Sequence, residues 1–471
     1  MAGRGSSART ILTNVGSLVG AEVVGRVLTF VALMHLTRAL GPDAMGMVEF
    51  GLALFALLTL VGVGGIEILG KRQVARTTRG MGRIGGTVLL VGWAWLAGAL
   101  LLLAVGFSFV DRPPPTLTIA AGFAAAALLA PMGLRFAFLG RERMDRLAIA
   151  TVLGQLTWTA AVLLLVKDAA DVTLIPALWL AGEAVRVILL LLSYRQLFGR
   201  LQRPKARVLR AWAAASVPVG LGRIARGALY IVDVFILGLV APLAVVGLYG
   251  VALRLPLFVV SSGVWVHHSL FPSIVRLLPD PRGLARLQGI ALRAAISLGL
   301  AVALTLGIAA EELLSVAFGV EFSPAAPIMA ILAWKVPLSS VAGLYRNVVW
   351  AAAPAREAAL SVCGSVATIV AAVISAVLWG AFGCAVAMVA GEALLLVAYL
   401  WGAREHPTGL GPWLRVWLPL QVLALGIIGA WWWLLPEGRW LVSISAVVVG
   451  GIAGTLPLLP WARELRDALR R

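Results

Sequence analysis

Arg223, Arg226, Asp233 and Arg254 stand inside Ser216–Phe271, a stretch otherwise apolar enough to cross a membrane twice. Charge at bilayer depth costs roughly 2.5–3.5 kcal/mol per residue on insertion scales, so a segment that keeps three arginines there faces water, a partner charge or an anionic ligand. With about 3.6 residues per turn, Arg223, Arg226, Tyr230 and Asp233 fall on one narrow face of one predicted helix. Arg254, Ser261, Trp265 and His268 share a face of the next. These faces read as part of the wall of a polar cavity. The structural alternative is Arg–Asp pairing between packed helices, or arginines reaching out from the helix ends.

Other charged residues lie at similar depth. Lys335 sits in the middle of a later span, with Ser339 and Arg346 on its face, and Pro324, Pro327 and Pro337 interrupt that helix. Proline frees backbone groups and permits a bend that can serve gating. Glu22 and Arg26 are one turn apart and can neutralise each other. Glu49, near an outer end, reads as a cation or proton site, and Glu67, near an inner boundary, as a partner of Lys71 or Arg72. Glu183 and Arg186 form a local i, i+3 pair, Glu392 is isolated, and His267 and His268 read as interfacial. The lumen then holds Arg26, Arg223, Arg226, Arg254 and Lys335 against Glu22, Glu49 and Asp233. A net cationic cavity suits an anionic substrate, and arginine in particular grips phosphate or pyrophosphate with two parallel hydrogen bonds. The three carboxylates are the candidates for ion coupling, with protons, sodium and the membrane potential as the energy sources to distinguish.

The elements that must position these groups are membrane spans. Of 471 residues, 61% are hydrophobic and 13% charged, and the mean hydropathy is +0.98. No soluble core hides that much apolar surface, so the chain reads as an all-α polytopic membrane protein. Cys363 and Cys384 both lie in apolar spans and suggest neither a disulfide nor a thiol-ligated metal. No HExxH, CxxC or Walker loop is present, so neither a metal, a cofactor nor an enzymatic reaction is expected. The polar N-terminus with Arg4 and Arg9 precedes a span too long for a cleaved signal, which predicts a retained first helix.

About fourteen spans are expected, near 11–34, 44–66, 84–108, 116–138, 147–166, 174–194, 212–239, 243–270, 289–310, 323–350, 357–378, 380–401, 412–434 and 440–460. The split between the eleventh and twelfth falls at Trp379–Gly383. Alternate connections, with the span ends that border them, carry 29 of the 39 basic residues, and the opposite connections carry 4. That bias predicts cytoplasmic termini and accounts for the net charge of +18 without nucleic acid, because inner loops are held at an anionic leaflet. The short outer connections leave no room for a catalytic ectodomain. Lys71–Arg83 is expected to form a short amphipathic helix at the inner surface.

The long basic connection Arg195–Arg210 divides the chain into two six-helix lobes around a central cavity. It predicts residues 1–210 as the first lobe with its linker, 211–403 as the second, and 404–471 as two further helices and a cytoplasmic tail. A shift of 200 residues aligns Gly20 with Gly220, Arg26 with Arg226, Pro42 with Pro242 and Ala44 with Ala244, and a one-residue slip then pairs Gly46 with Gly247. Such internal similarity is the mark of pseudo-symmetric transporter repeats. A two-fold axis along the membrane normal would set Arg26 and Arg226 facing each other.

Leu36-Thr37-Arg38-Ala39-Leu40-Gly41-Pro42, followed by Gly46, resembles the opening motif of oligosaccharide/polysaccharide flippases. Gly65 through Lys71-Arg72-Gln73-Val74-Ala75-Arg76 is similar to their element after the second span, and Gly247-Leu248-Tyr249 with Arg254 to the one that opens the second lobe's second helix. The resemblance implies the polysaccharide branch of the multidrug/oligosaccharidyl-lipid/polysaccharide exporter superfamily, whose two lobes work by alternating access. It implies a flippase in the bacterial inner membrane, acting on undecaprenyl-pyrophosphate-linked oligosaccharide. The partners it implies are membrane lipids, that substrate and other polysaccharide-assembly membrane proteins. It implies a substrate-binding role for Arg26, Arg223, Arg226, Arg254 and Lys335. A multidrug exporter of the same superfamily and a flippase for peptidoglycan lipid precursors are the alternatives. Acidic cavity residues would favour the exporter.

Overall fold

The computed structural model describes residues 8–77, 79–108 and 113–406. In chain order its helices are α1 (Ala8–Arg76), α2 (Met81–Phe107), α3 (Pro114–Ala127), α4 (Arg135–Gly140), α5 (Met144–Leu165), α6 (Ile175–Phe198) and α7 (Ala206–Ala228). There follow α8 (Val232–Val240), α9 (Leu243–Leu277), α10 (Pro281–Ile308), α11 (Ala310–Phe318), α12 (Ala326–Leu332), α13 (Lys335–Ala352) and α14 (Pro354–Gly402). No strand occurs among the described residues. An all-helical build follows from the solvent, since a helix satisfies its backbone polar groups within one segment.

Nine helical segments among the described residues are long and apolar enough to cross a membrane by length and composition. The protein is a multi-pass membrane protein. Two of the nine are long enough for two crossings: Gly20–Arg76 has 57 residues and Pro354–Gly402 has 49, at about 1.5 Å per residue against a hydrocarbon core of about 30 Å. Each is interrupted at a glycine, Gly41 at φ 70°, ψ 176° and Gly380 at φ 61°, ψ −145°. That backbone region is essentially open to glycine alone. Pro42 follows Gly41 directly, so Leu40-Gly41-Pro42 stops one arm and starts the next. The expected split at Trp379–Gly383 falls at Gly380. The predicted spans at 412–434 and 440–460, with the tail, lie outside the described residues.

Three expectations of local structure change. The amphipathic helix at Lys71–Arg83 is divided: α1 continues to Arg76, with Val74 fully buried, and α2 begins at Met81 after Gly80 at φ 74°. The span expected at 212–239 breaks into α7 and α8, with Ile231 N–H donating to the Ala228 carbonyl at 2.9 Å. The span expected at 323–350 breaks after α12, and α13 starts at Lys335. Pro337 is the third residue of α13, where its missing N–H removes no intrahelical bond.

Packing divides the chain into two compact units, the first ending at Gly247 and the second beginning at Leu248. In the first, α1 is the spine, against which α2, α3, α5, α7 and α8 pack. Phe55, Phe123 and Trp158 all pack on Trp179 in its core. The basic connection after α6 is anchored there: Gln202 N–H donates to the Gly82 carbonyl at 2.9 Å, and the Tyr194 hydroxyl to Met81 at 2.7 Å. In the second unit, α13 packs between α10 and α14, and α12 also packs on α10 and α14.

Candidate functional site

The second arm of α1 and α7 meet backbone to backbone. A β-carbon on Gly65 would collide with the Ser216 carbonyl and stand 2.7 Å from Gly220 N. Ile224 fills the space beside Gly64, and Leu60 the space beside Gly227. Above that seam, a β-carbon on Gly46 would strike the Leu243 carbonyl and one on Gly247 the Pro42 carbonyl. These contacts are reciprocal: each glycine touches the carbonyl found four residues before the other. Gly46 and Gly247 are the pair that a one-residue slip in the 200-residue shift aligns.

This seam positions the arginines of α7. Arg223 Nη1 lies 3.2 Å from Glu67 Oε2 on α1, with the carboxylate mostly covered and the arginine side chain 42% exposed. Glu67 therefore pairs with Arg223, not with the Lys71 or Arg72 expected from its neighbourhood. The two partners are far apart in the chain, and no local spacing announces them. Arg226 is buried in the last turn of α7, and Asp233 is fully buried in the first turn of α8. The break between the helices explains why these charges are tolerated. A helix C-terminus is a partial negative charge and an N-terminus a partial positive one, so the guanidinium and the carboxylate each sit at the end that favours it. Asp233 Oδ1 also accepts the Val234 N–H at 3.0 Å. The single continuous face expected for Arg223, Arg226, Tyr230 and Asp233 is thus replaced by two helix ends.

On the first arm of α1, Arg26 Nη2 and Glu22 Oε1 are 3.6 Å apart, the i, i+4 pair expected. Glu49 is buried on the second arm beside Val48 and Phe50. In the second unit Lys335 is buried at the start of α13, and Arg254 is half-buried on α9. His267, expected at an interface, is buried and ties α9 to α13. Its Nε2 is 3.0 Å from the Ser340 carbonyl, and its own carbonyl accepts from Asn347 Nδ2 at 2.8 Å. Gly343 leaves room for the imidazole ring. Sequence missed this link because the partners stand on separate helices.

The arrangement brings together Arg223 with Glu67, Arg26 with Glu22, and Arg226 and Asp233 at one helix break. These are charged groups held within a multi-pass membrane protein. The family profile described as "Polysaccharide biosynthesis protein" matches residues 11–278. No curated protein matches the chain. Among solved structures, the chain is similar to the lipid II flippase MurJ in an inward closed conformation, at TM-score 0.72 and 11% identity over 94% of this chain and 99% of that one. It is also similar to an inward-facing multidrug resistance MATE family transporter of the MOP superfamily, at TM-score 0.63 and 15% identity over 81% and 94%. A MOP superfamily transporter from Pyrococcus furiosus gives TM-score 0.51 and 15% identity over 85% and 96%. The fold is that of these transporters, and since the profile spans more than half of the sequence, including α7 with Arg223 and Arg226 and the buried Asp233, the chain belongs to the polysaccharide biosynthesis protein family.

Proposed function

We propose that this protein is a flippase that moves a polyprenyl-pyrophosphate-linked oligosaccharide from the inner to the outer leaflet of the bacterial cytoplasmic membrane, for polysaccharide or O-antigen assembly. The observation that carries the reading is Arg226, a buried guanidinium at the α7–α8 break, inside the part of the chain that matches the polysaccharide biosynthesis family. A buried charged side chain in a membrane protein points to a substrate or ion path by default. The similarity to a lipid II flippase supports a lipid-linked substrate, and equally supports the reading as a peptidoglycan lipid-precursor flippase.

In this reading Arg26, Arg223, Arg226, Arg254 and Lys335 hold the pyrophosphate as the lobes 1–210 and 211–403 alternate in access. Asp233, Glu49 and Glu22 are the carboxylates that sense a coupling ion. Both termini are cytoplasmic, and membrane lipids and other polysaccharide-assembly proteins are the partners. Transport in proteoliposomes with fluorescent lipid-linked oligosaccharide and with lipid II tests the reading. Arg26→Ala combined with Arg226→Ala should abolish flipping at normal protein levels. Lysine at either position should restore it only in part, because an ammonium lacks the planar fork. In the same assay Asp233→Asn should remove the dependence on pH or sodium. Undiminished flipping by the double alanine variant would sink the proposal, and transport of lipid II alone would give the second reading.

A further inference from the structure

Glu67 on α1 and Arg223 on α7 face each other at the edge of a closed seam. Gly65 stands two residues before Glu67, and Gly220 three before Arg223. A β-carbon on Gly65 would collide with the Ser216 carbonyl, and one on Gly220 would stand 3.1 Å from Gly65 N, so nothing passes between the helices there. Lipid tails are as apolar as leucine, so apolar helix faces gain little by leaving lipid, and close packing and polar links decide whether two helices stay together. Arg223 Nη1, 3.2 Å from Glu67 Oε2, is such a link. Its two side chains are covered unequally: that of Glu67 is 12% exposed and that of Arg223 42%.

The stretch of α7 that carries Arg223 lies between a fixed end and a break. Leu209, Trp212 and Ala213 anchor the start of the helix on the core of the first unit, and Trp95 Nε1 of α2 donates to the Ser216 hydroxyl at 3.2 Å. Pro218 then stands inside the helix with no N–H for the Ala214 carbonyl, so the helix yields there. At the other end the helix stops at Ala228, and α8 begins only at Val232. Pro218–Ala228, with Gly220 and Arg223, can therefore swing on α1 while the first turns of α7 stay in place.

The unequal cover makes this link sensitive to anions. A guanidinium offers five N–H donors, so Arg223 can take a second anion on its exposed side with Glu67 still beside it. One positive charge then serves two negative groups, and the covered one is the one that lacks water. A covered carboxylate deprived of part of its partner is costly, and water reaches Glu67 when Pro218–Ala228 swings off α1. We propose that Glu67 is a latch: it holds Pro218–Ala228 of α7 on α1 until an anionic group at Arg223 releases it. Glu67 acts through Arg223, as a positioning residue. Its use in transport, with the pyrophosphate of a lipid-linked substrate as the anion, rests on the flippase reading.

The test uses the purified full-length chain, with Cys363→Ser and Cys384→Ser, in nanodiscs of zwitterionic lipid. Spin labels go on cysteines at Gln73 of α1 and Leu221 of α7, both exposed. Inorganic pyrophosphate is the probe, at constant ionic strength. Electron–electron double resonance should give one distance without pyrophosphate and an added, longer one with it. Glu67→Gln, which keeps the shape and loses the charge, should raise the share of the longer distance without pyrophosphate about fivefold, the factor that a part-exposed ion pair of about 1 kcal/mol gives. The pyrophosphate concentration for half of the change should fall by the same factor, which a merely structural Glu67 would not alter. Glu67→Met, of similar length and uncharged, carries the same expectation if Glu67→Gln fails to fold. Asp145→Asn, which opens the Arg143–Asp145 pair instead, should behave as the unmodified protein. Discs of phosphatidylglycerol without pyrophosphate tell the sources of the anion apart: the longer distance there assigns the release to lipid headgroups, and the single distance assigns it to pyrophosphate. No longer distance with either anion, or distances and titration in the folded Glu67 variants equal to those of the unmodified protein, would overturn the proposal. The distances are read without transport. A working latch together with undiminished flipping by the Arg26→Ala, Arg226→Ala variant would remove the flippase reading alone, and a fixed distance in a protein whose flipping that variant abolishes would remove the latch alone.

Discussion

Glu67 and Arg223 illustrate how little a single charge means until its partner is known. At 3.2 Å, with Glu67 largely covered and the arginine side chain 42% exposed, the pair fastens α7 to α1 and still leaves guanidinium surface free for a ligand. Because the arginine remains partly exposed, Arg223→Ala should lower stability by only about 0.2–1 kcal/mol, the range of pairs that keep contact with solvent. The charge swap Glu67→Arg with Arg223→Glu should recover part of that loss. Thermal unfolding of the two single variants and the double variant in one detergent gives the coupling energy as a double-mutant cycle. Strictly additive losses would mean that the pair contributes nothing to the α1–α7 seam. Arg226 and Asp233 differ in kind, being buried at helix ends where the backbone itself favours their signs.

The elements are placed by glycines of two sorts. Gly41 and Gly380 are needed for backbone angles, and no atom stands within 4 Å of a β-carbon on Gly380. Gly65, Gly46 and Gly247 are needed for space, since a β-carbon on any of them meets the backbone of another helix. This distinction orders a set of alanine variants. Gly65→Ala should destabilise by about 1–3 kcal/mol, as overpacking of a close seam does. Gly220→Ala should cost less, because its β-carbon would press on Gly65 N at 3.1 Å where one on Gly65 collides with the Ser216 carbonyl. Gly98→Ala should be neutral or slightly stabilising, since nothing lies within 4 Å of it on a helix. Melting temperatures of the three variants check the order. A Gly65→Ala protein as stable as Gly98→Ala would show that α1 and α7 do not meet in the membrane as they do here.

At the scale of the whole molecule, the basic residues set the expected orientation. With 29 of 39 in alternate connections and the span ends beside them, both termini and the Arg195–Arg210 connection should be cytoplasmic. In a chain with Cys363→Ser and Cys384→Ser, a cysteine at Gln202 should resist a membrane-impermeant maleimide in intact cells, and one at Ala170, in the connection after α5, should react. Labelling at Gln202 in intact cells would reverse the topology.

Composition and periodicity were sufficient for the class and for most spans, because the bilayer demands long apolar helices wherever the chain crosses it. The sequence also marked the breaks at Leu40-Gly41-Pro42 and near Gly380, where local residues force the backbone. It announced the local pairs Glu22–Arg26 and Glu183–Arg186, whose partners lie a turn apart. It did not announce the break between α7 and α8, the pairing of Glu67 with Arg223, or the His267 link to α13. Each of those depends on which faces of distant helices come together. That choice is made by close packing at glycine seams, a property of three-dimensional shape that residue spacing along one helix does not carry.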